Sequence, residues 1–128
     1  TDLAAVLEST GHLLRRRSVV CILSDFDSPR NSAWDRALAV LCRRHQVSCF
    51  LVHDPMESQS VPGGLLEFED AETGDRRLVD SAALQPHQSL DQRLARLRKT
   101  GAWSSEISTA VDPFRQLLIH FQRIERSR

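Results

Sequence analysis

The sequence predicts an α/β fold in which three parallel strands alternate with flanking helices, and three observations carry that prediction. Val19-Val20-Cys21-Ile22-Leu23 is an unbroken apolar run, the pattern of a strand with helices over both faces of its sheet. A helical periodicity and a second apolar run, Val47 to Val52, follow it, so a strand-helix-strand unit is complete between Ser18 and Asp54. Two further helical patterns then enclose a short strand pattern at Trp103 to Ser108. The first run reads as the buried central strand, and its crossover is expected to be right-handed.

Taken in order, Asp2 to Arg17 places Leu3, Val6, Leu7, Leu13 and Leu14 near one helix face, with Arg15 to Arg17 as a basic last turn suited to the negative helix end. The strand at Val19 to Ser24 comes next. Asp27 to Ser32 is rich in turn formers, and Pro29 disfavours helix at the residue before it. Ser32-x-x-Asp35 resembles a capping box, after which Trp34, Ala37, Leu38, Leu41 and Cys42 keep helical spacing to His45. The strand from Val47 to His53 is closed by Asp54-Pro55. Val61-Pro62-Gly63-Gly64 is a break. Beyond it Leu65, Leu66 and Phe68 face Arg77, Leu78 and Val79 across a loop whose Gly74 can take the positive φ a hairpin needs, an insertion over residues 65–79. Ser89-x-x-Gln92 caps a helix bearing Leu90, Leu94 and Leu97, with Gly101 as its stop. Asp112-Pro113 is an N-cap followed by proline at the first helical position of an amphipathic helix with Phe114, Leu117, Leu118, Phe121 and Ile124.

The 128 residues amount to a single domain spanning 1–128. With 17 basic and 17 acidic residues the formal charge is zero, so bulk charge gives no reason to expect a nucleic acid or anionic membrane partner. Cys21, Cys42 and Cys49 lie in apolar segments without CxxC spacing and read as small buried hydrophobes in a reducing compartment. No apolar stretch approaches the roughly 20 residues that cross a bilayer, and no basic-then-apolar leader opens the chain, so a soluble cytoplasmic protein is expected.

Ligands of open parallel sheets gather at the carboxyl ends of the strands, where Asp25 and Asp27 fall. Asp54 and Glu57, after the second strand, lie near the same rim. The histidines never pair at metal-ligand spacing and read as core or surface residues, and no Ser/His/Asp order or phosphate-binding loop is present.

Five segments in order, Arg17-Ser18-Val19-Val20 to Ser24-Asp25-Phe26, Leu41-x-x-Arg44-His45-x-Val47, Asp54-Pro55-x-Glu57, Pro62-x-Gly64-Leu65-Leu66 and Asp70-x-Glu72-Thr73-Gly74, resemble one known pattern. It is the second half of a von Willebrand factor A-like domain, in the bacterial family known as domain of unknown function, family 58, whose members are encoded beside MoxR-type AAA+ ATPases. The resemblance implies a Rossmann-like parallel sheet, here as a half with three parallel strands. It also implies a metal-ion-dependent adhesion site for Mg²⁺ or Mn²⁺. Asp25 resembles that site's aspartate, and Thr1, in Thr1-Asp2-Leu3, resembles the threonine of the family's Gly-Thr-Asp-Leu stretch. The Asp-x-Ser-x-Ser loop that completes such a site is absent, so no cofactor is expected on this chain alone.

The expectation for function is therefore a non-catalytic adaptor working with a MoxR-type ATPase or its client, with Asp27, Asp54 and Glu57 in partner binding. A homo-oligomer through the strand at 19–24 is expected in addition, because an unpaired apolar edge recruits another strand. The alternative is a phosphotransferase like the haloacid dehalogenases, with Asp25 as nucleophile and Asp27 as acid/base. That chemistry needs a lysine and a later acidic pair, and Lys99 is the chain's sole lysine.

Overall fold

A computed structural model describes residues 2–27, 33–56, 65–80 and 88–128. The elements, in order, are α1 (Leu3–Leu13), β1 (Val19–Ser24), α2 (Trp34–Arg44), β2 (Gln46–His53), β3 (Leu65–Glu69), β4 (Arg76–Asp80), α3 (Leu90–Lys99), β5 (Trp103–Ser108) and α4 (Pro113–Arg126). The chain divides into two compact units, Thr1–Pro55 with Gln88–Arg128, and Met56–His87. The first is a Rossmann-like α/β arrangement, as expected: β1, β2 and β5 form one parallel sheet in the order β1-β2-β5.

One face of this sheet carries the core. Val20 and Ile22 of β1 with Val47, Cys49 and Leu51 of β2 pack against Leu7 of α1, Trp34, Leu38 and Leu41 of α2, and Leu94 and Leu97 of α3. The helices are fixed at their ends by local chemistry. The Asp2 side chain accepts from the Ala5 N–H, and Asp112 accepts from the Phe114 N–H with Pro113 opening α4. Before α3 the capping box is complete, Ser89 Oγ accepting from the Gln92 N–H at 3.2 Å and Gln92 Oε1 from the Ser89 N–H at 3.1 Å. Ser89→Ala is accordingly expected to lower stability by about 1 kcal/mol in urea titration, with the m-value unchanged. Gly101 ends this segment at φ +90°, a conformation that side-chain-bearing residues rarely adopt.

The structure corrects several readings of the sequence. The strand expected to be central, β1, pairs only with β2 among the described residues, and β2 holds the centre. On its second face Val19 and Leu23 are 62% and 63% exposed, and Cys21 is exposed as well. An all-apolar run does reflect a strand without a polar face, but it cannot say whether both faces are covered. Cys21 is thus not a buried hydrophobe, whereas Cys49 is: burial, with the neighbouring Cys42 and Cys21 thiols, pushes its thiol up to about 12. Helix α1 stops at Leu13, with Leu14 extended, so Arg15 to Arg17 form no basic last turn and His12 holds that place. Ala33, without a side-chain cap, stands at the N-cap of α2; Ser32 lies outside the described residues, as does the break at 61–64.

The second unit contains the expected hairpin. Strands β3 and β4 pair antiparallel, Leu65 opposite Asp80 and Glu69 opposite Arg76. The Asp70 side chain accepts from the N–H groups of Glu72 and Thr73, and Gly74 takes φ +74° where the loop turns back.

Candidate functional site

Parallel strands bring their carboxyl ends to one rim, and in this sheet Ser24 lies opposite Leu51 while His53 lies opposite Ser108. The segment Asp25-Phe26-Asp27 leaves β1 at that rim. Its middle residue turns inward: Phe26 is 2% exposed, and its ring centroid lies 5.6 Å from that of Trp34. To do so it adopts φ +50°, a left-handed conformation that costs an L-residue on the order of 1–2 kcal/mol. Both flanking carboxylates, Asp25 and Asp27, remain at the surface.

Local hydrogen bonds hold the turn. The Phe26 N–H donates to Ser24 Oγ at 3.0 Å, and the Asp27 N–H donates to Asp25 Oδ1 at 3.1 Å, an Asx-type turn. The Ser24 hydroxyl donates to the same Oδ1 at 3.4 Å, and from α3 the Arg93 guanidinium donates to the Asp25 carbonyl at 2.8 Å. Behind the turn Arg96 lies 4.4 Å over the Trp34 ring and pairs with Asp35 at 3.2 Å. Burial alone would push the Asp35 carboxyl up, but the Arg96 hydrogen bond and charge, with the Arg36 N–H, leave it below its usual range. Arg93 Nε and, at the end of β2, His53 Nε2 are buried without a hydrogen-bond partner.

The fold therefore brings Asp25 and Asp27 together in one anchored turn and puts Asp54, half-buried, after β2 at the same end of the sheet. Thr1 and Glu57, the remaining residues expected at the site, lie outside the described residues. Hard divalent cations take six or more oxygen ligands. Here Asp25 Oδ1 is already engaged by the turn, and among the described residues no three His, Cys, Asp or Glu side chains gather as a metal-binding group. The described donor set by itself does not fit Mg²⁺ or Mn²⁺. Lys99 lies at the far end of α3 from Arg93, about 9 Å further along the helix rise than the residue that holds the Asp25 turn.

A second polar constellation escaped the reading of the sequence. His120 of α4 is 2% exposed and bridges two strands, with Nδ1 2.6 Å from Ser105 Oγ and Nε2 3.0 Å from Ser48 Oγ. Its ring is 4.5 Å from that of Phe50, and burial, with the Arg123 charge, holds its pKa below the usual value. A signal for it was present. Ser48 and Ser105 stand beside apolar neighbours on one strand face, Phe50 and Val52 in β2 and Trp103 and Ile107 in β5, and His120 sits four residues before Ile124, on the stripe of α4 that turns inward. Neutral imidazole offers one donor and one acceptor, which two serine hydroxyls can match, so the trio ties α4 to β2 and β5.

Among the described residues no helix is long and apolar enough to cross a membrane. Over 76 residues, 59% of this chain and 44% of the relative, the sequence is 37% identical to the uncharacterized protein MAV169 of Mycobacterium avium. It is 36% identical over 73 residues to the uncharacterized proteins Rv1480 of Mycobacterium tuberculosis and Mb1516 of Mycobacterium bovis, the match covering 57% of this chain and 22% of each of theirs. The chain thus spans less than half the length of the curated relatives it matches. No solved structure matches it significantly. The family described as protein of unknown function DUF58 matches residues 1–100, and to that family the chain belongs.

Proposed function

We propose that this chain is a non-catalytic interaction module that offers the Asp25-Phe26-Asp27 rim to a partner protein. The partner is a AAA+ ATPase of the MoxR type or its client, as the von Willebrand A-like resemblance implies. The observation that carries the reading is the inward peg of Phe26. A buried aromatic held at φ +50° between two surface carboxylates is a strained arrangement, and strain of this kind persists where the surroundings over-determine it for a purpose. It presents two negative charges from a turn that loses little entropy on binding, which suits a partner's arginine or lysine. Mg²⁺ or Mn²⁺ enters this reading only as a bridging ion whose remaining oxygen ligands come from outside the described residues.

The test is capture of a purified MoxR-type ATPase by the immobilised chain. Wild type is expected to retain it, and the Asp25→Lys/Asp27→Lys double variant to bind at least ten-fold more weakly, on the order of 1–3 kcal/mol for paired interface charges. Circular dichroism establishes that the variant is folded. Equal retention by the two proteins removes the rim from the interface, and no retention by either removes the ATPase as partner. Chelation that abolishes capture would assign the bridging role to a divalent ion.

A further inference from the structure

We propose that the first unit docks on an anionic lipid bilayer through the pole where its strands begin, with the acidic rim turned away. The formal charge of zero hides this pole, because the fold separates charges that the sequence mixes. Helices α1, α2 and α3 each lead directly into a strand of one parallel sheet, so their carboxyl ends collect at the amino ends of the strands. Arg15, Arg16 and Arg17 lie between α1 and β1, and Arg43 and Arg44 close α2. Arg98 and Lys99 close α3. Helix α4 runs back from the rim to the same end: near its start Gln116 Oε1 accepts from the Ser108 N–H, and beyond its last turn Arg128 donates to Gln46, the first residue of β2, at 2.8 Å. Arg126 and Arg128 thus join the pole.

All nine of these side chains are exposed, and none forms an ion pair with a described residue. One described carboxylate, Glu125, shares their end of the unit. The helix dipole accounts for a cation in a last turn, but Arg15 to Arg17 follow the extended Leu14 and cap no helix. Asp25, Asp27 and Asp54 stand at the opposite end of the sheet, about 23 Å away along the eight residues of β2. That is more than twice the Debye length of about 8 Å at physiological ionic strength, so the rim does not cancel the field of the pole. Neutral surface laid over these guanidinium groups would strip their water without replacing it. Whatever else adjoins the unit, the pole therefore meets either water or anionic groups.

A lipid surface fits this pole better than a nucleic acid does. Leu13, two residues before the arginines, is 79% exposed at the end of α1. An apolar side chain among cations enters the acyl boundary beneath anionic headgroups, whereas it finds no partner on a phosphate backbone. The pole is made of helix ends and strand starts, and no described element of this unit projects from it to enter a groove. Arginine stems lie against the apolar boundary while their charged ends meet lipid phosphates. In this orientation the same phosphates repel the Asp25 turn, which faces away from the bilayer. The docking does not depend on which partner the rim binds.

The chain should sediment with vesicles of about one-third phosphatidylglycerol in phosphatidylcholine, stay in solution with phosphatidylcholine alone, and be released as the ionic strength rises. At about five-fold per arginine, replacing Arg15, Arg16 and Arg17 together by glutamine should weaken binding on the order of 100-fold. Leu13→Asn should weaken it several-fold. Arg115→Glu changes the net charge as much as Arg16→Glu does, but in the first turn of α4 at the rim end, so it should bind like wild type while Arg16→Glu loses more than five-fold. Circular dichroism establishes that each variant is folded. Failure to sediment, equal binding to neutral vesicles, equal losses for Arg16→Glu and Arg115→Glu, or full binding by Leu13→Asn would each overturn the proposal. A short DNA duplex that displaces the chain from the vesicles at equal phosphate concentration would overturn it in favour of a nucleic acid.

Discussion

Trp34→Ala is expected to lower the unfolding free energy by about 3–5 kcal/mol, a large part of the total for a chain of this size. Trp34 is 0% exposed and joins three elements. Its ring meets Phe26 of the rim turn, opens α2 against the core, and lies beneath the Arg96 guanidinium of α3. Alanine would leave a cavity between α2 and α3, deprive Arg96 of its cation–π contact and remove the surface on which Phe26 rests, so the rim turn should loosen with the core. The indole Nε1 is buried without a hydrogen-bond partner. Trp34→Phe should therefore cost much less than alanine, since it keeps most of the ring volume and leaves no orphan donor. Urea unfolding followed by circular dichroism decides it. A loss below about 1 kcal/mol for alanine would mean that the site collapses around the void.

The second large effect is a loss of stability in mild acid traced to His120. Burial comes first among the causes that lower its pKa in the fold, with the Arg123 charge adding to it, while in the unfolded chain it titrates near its ordinary value of 6.5. The unfolded state thus binds a proton that the folded state refuses. The stabilisation is fully present above about pH 6.5 and declines as the pH falls toward the lowered folded value, below which the loss levels off. Structurally, imidazolium is a donor at both nitrogens, so the hydroxyls of Ser105 and Ser48 must both become acceptors, beside a positive charge without a described counter-ion. Urea midpoints measured from about pH 7 to pH 5 should fall for wild type. They should fall much less for His120→Gln, which keeps a donor and an acceptor without titrating; equal slopes would assign the acid sensitivity to other groups.

Much of the architecture was legible because it rests on local rules. The run at Val19 to Ser24, the capping box at Ser89 to Gln92, Gly74 and Gly101 where φ is positive, and Asp112-Pro113 before α4 each encode an element within a few residues. Asp25 and Asp27 were legible as a rim pair for the same reason, since the end of a parallel strand is a place that periodicity identifies. Their present roles were not. That Asp25 closes a turn on the Asp27 N–H, with Arg93 from 68 residues away holding its carbonyl, depends on where α3 comes to rest.

The sequence by itself thus determined the α/β class, the order and kind of the elements, and the acidic turn at the end of β1, all matters of neighbours along the chain. Only the tertiary structure decided that β2, not β1, is central, that Phe26 is driven inward against Trp34, and that His120 meets Ser48 and Ser105. Hydrophobic pattern reports which groups avoid water but not which surface covers them. Val19 and Leu23 are as apolar as Val20 and Ile22, but the helices α1 to α3 bury the second pair, whereas on the face of the first pair α4 meets β2 and β5 and leaves the β1 side chains exposed.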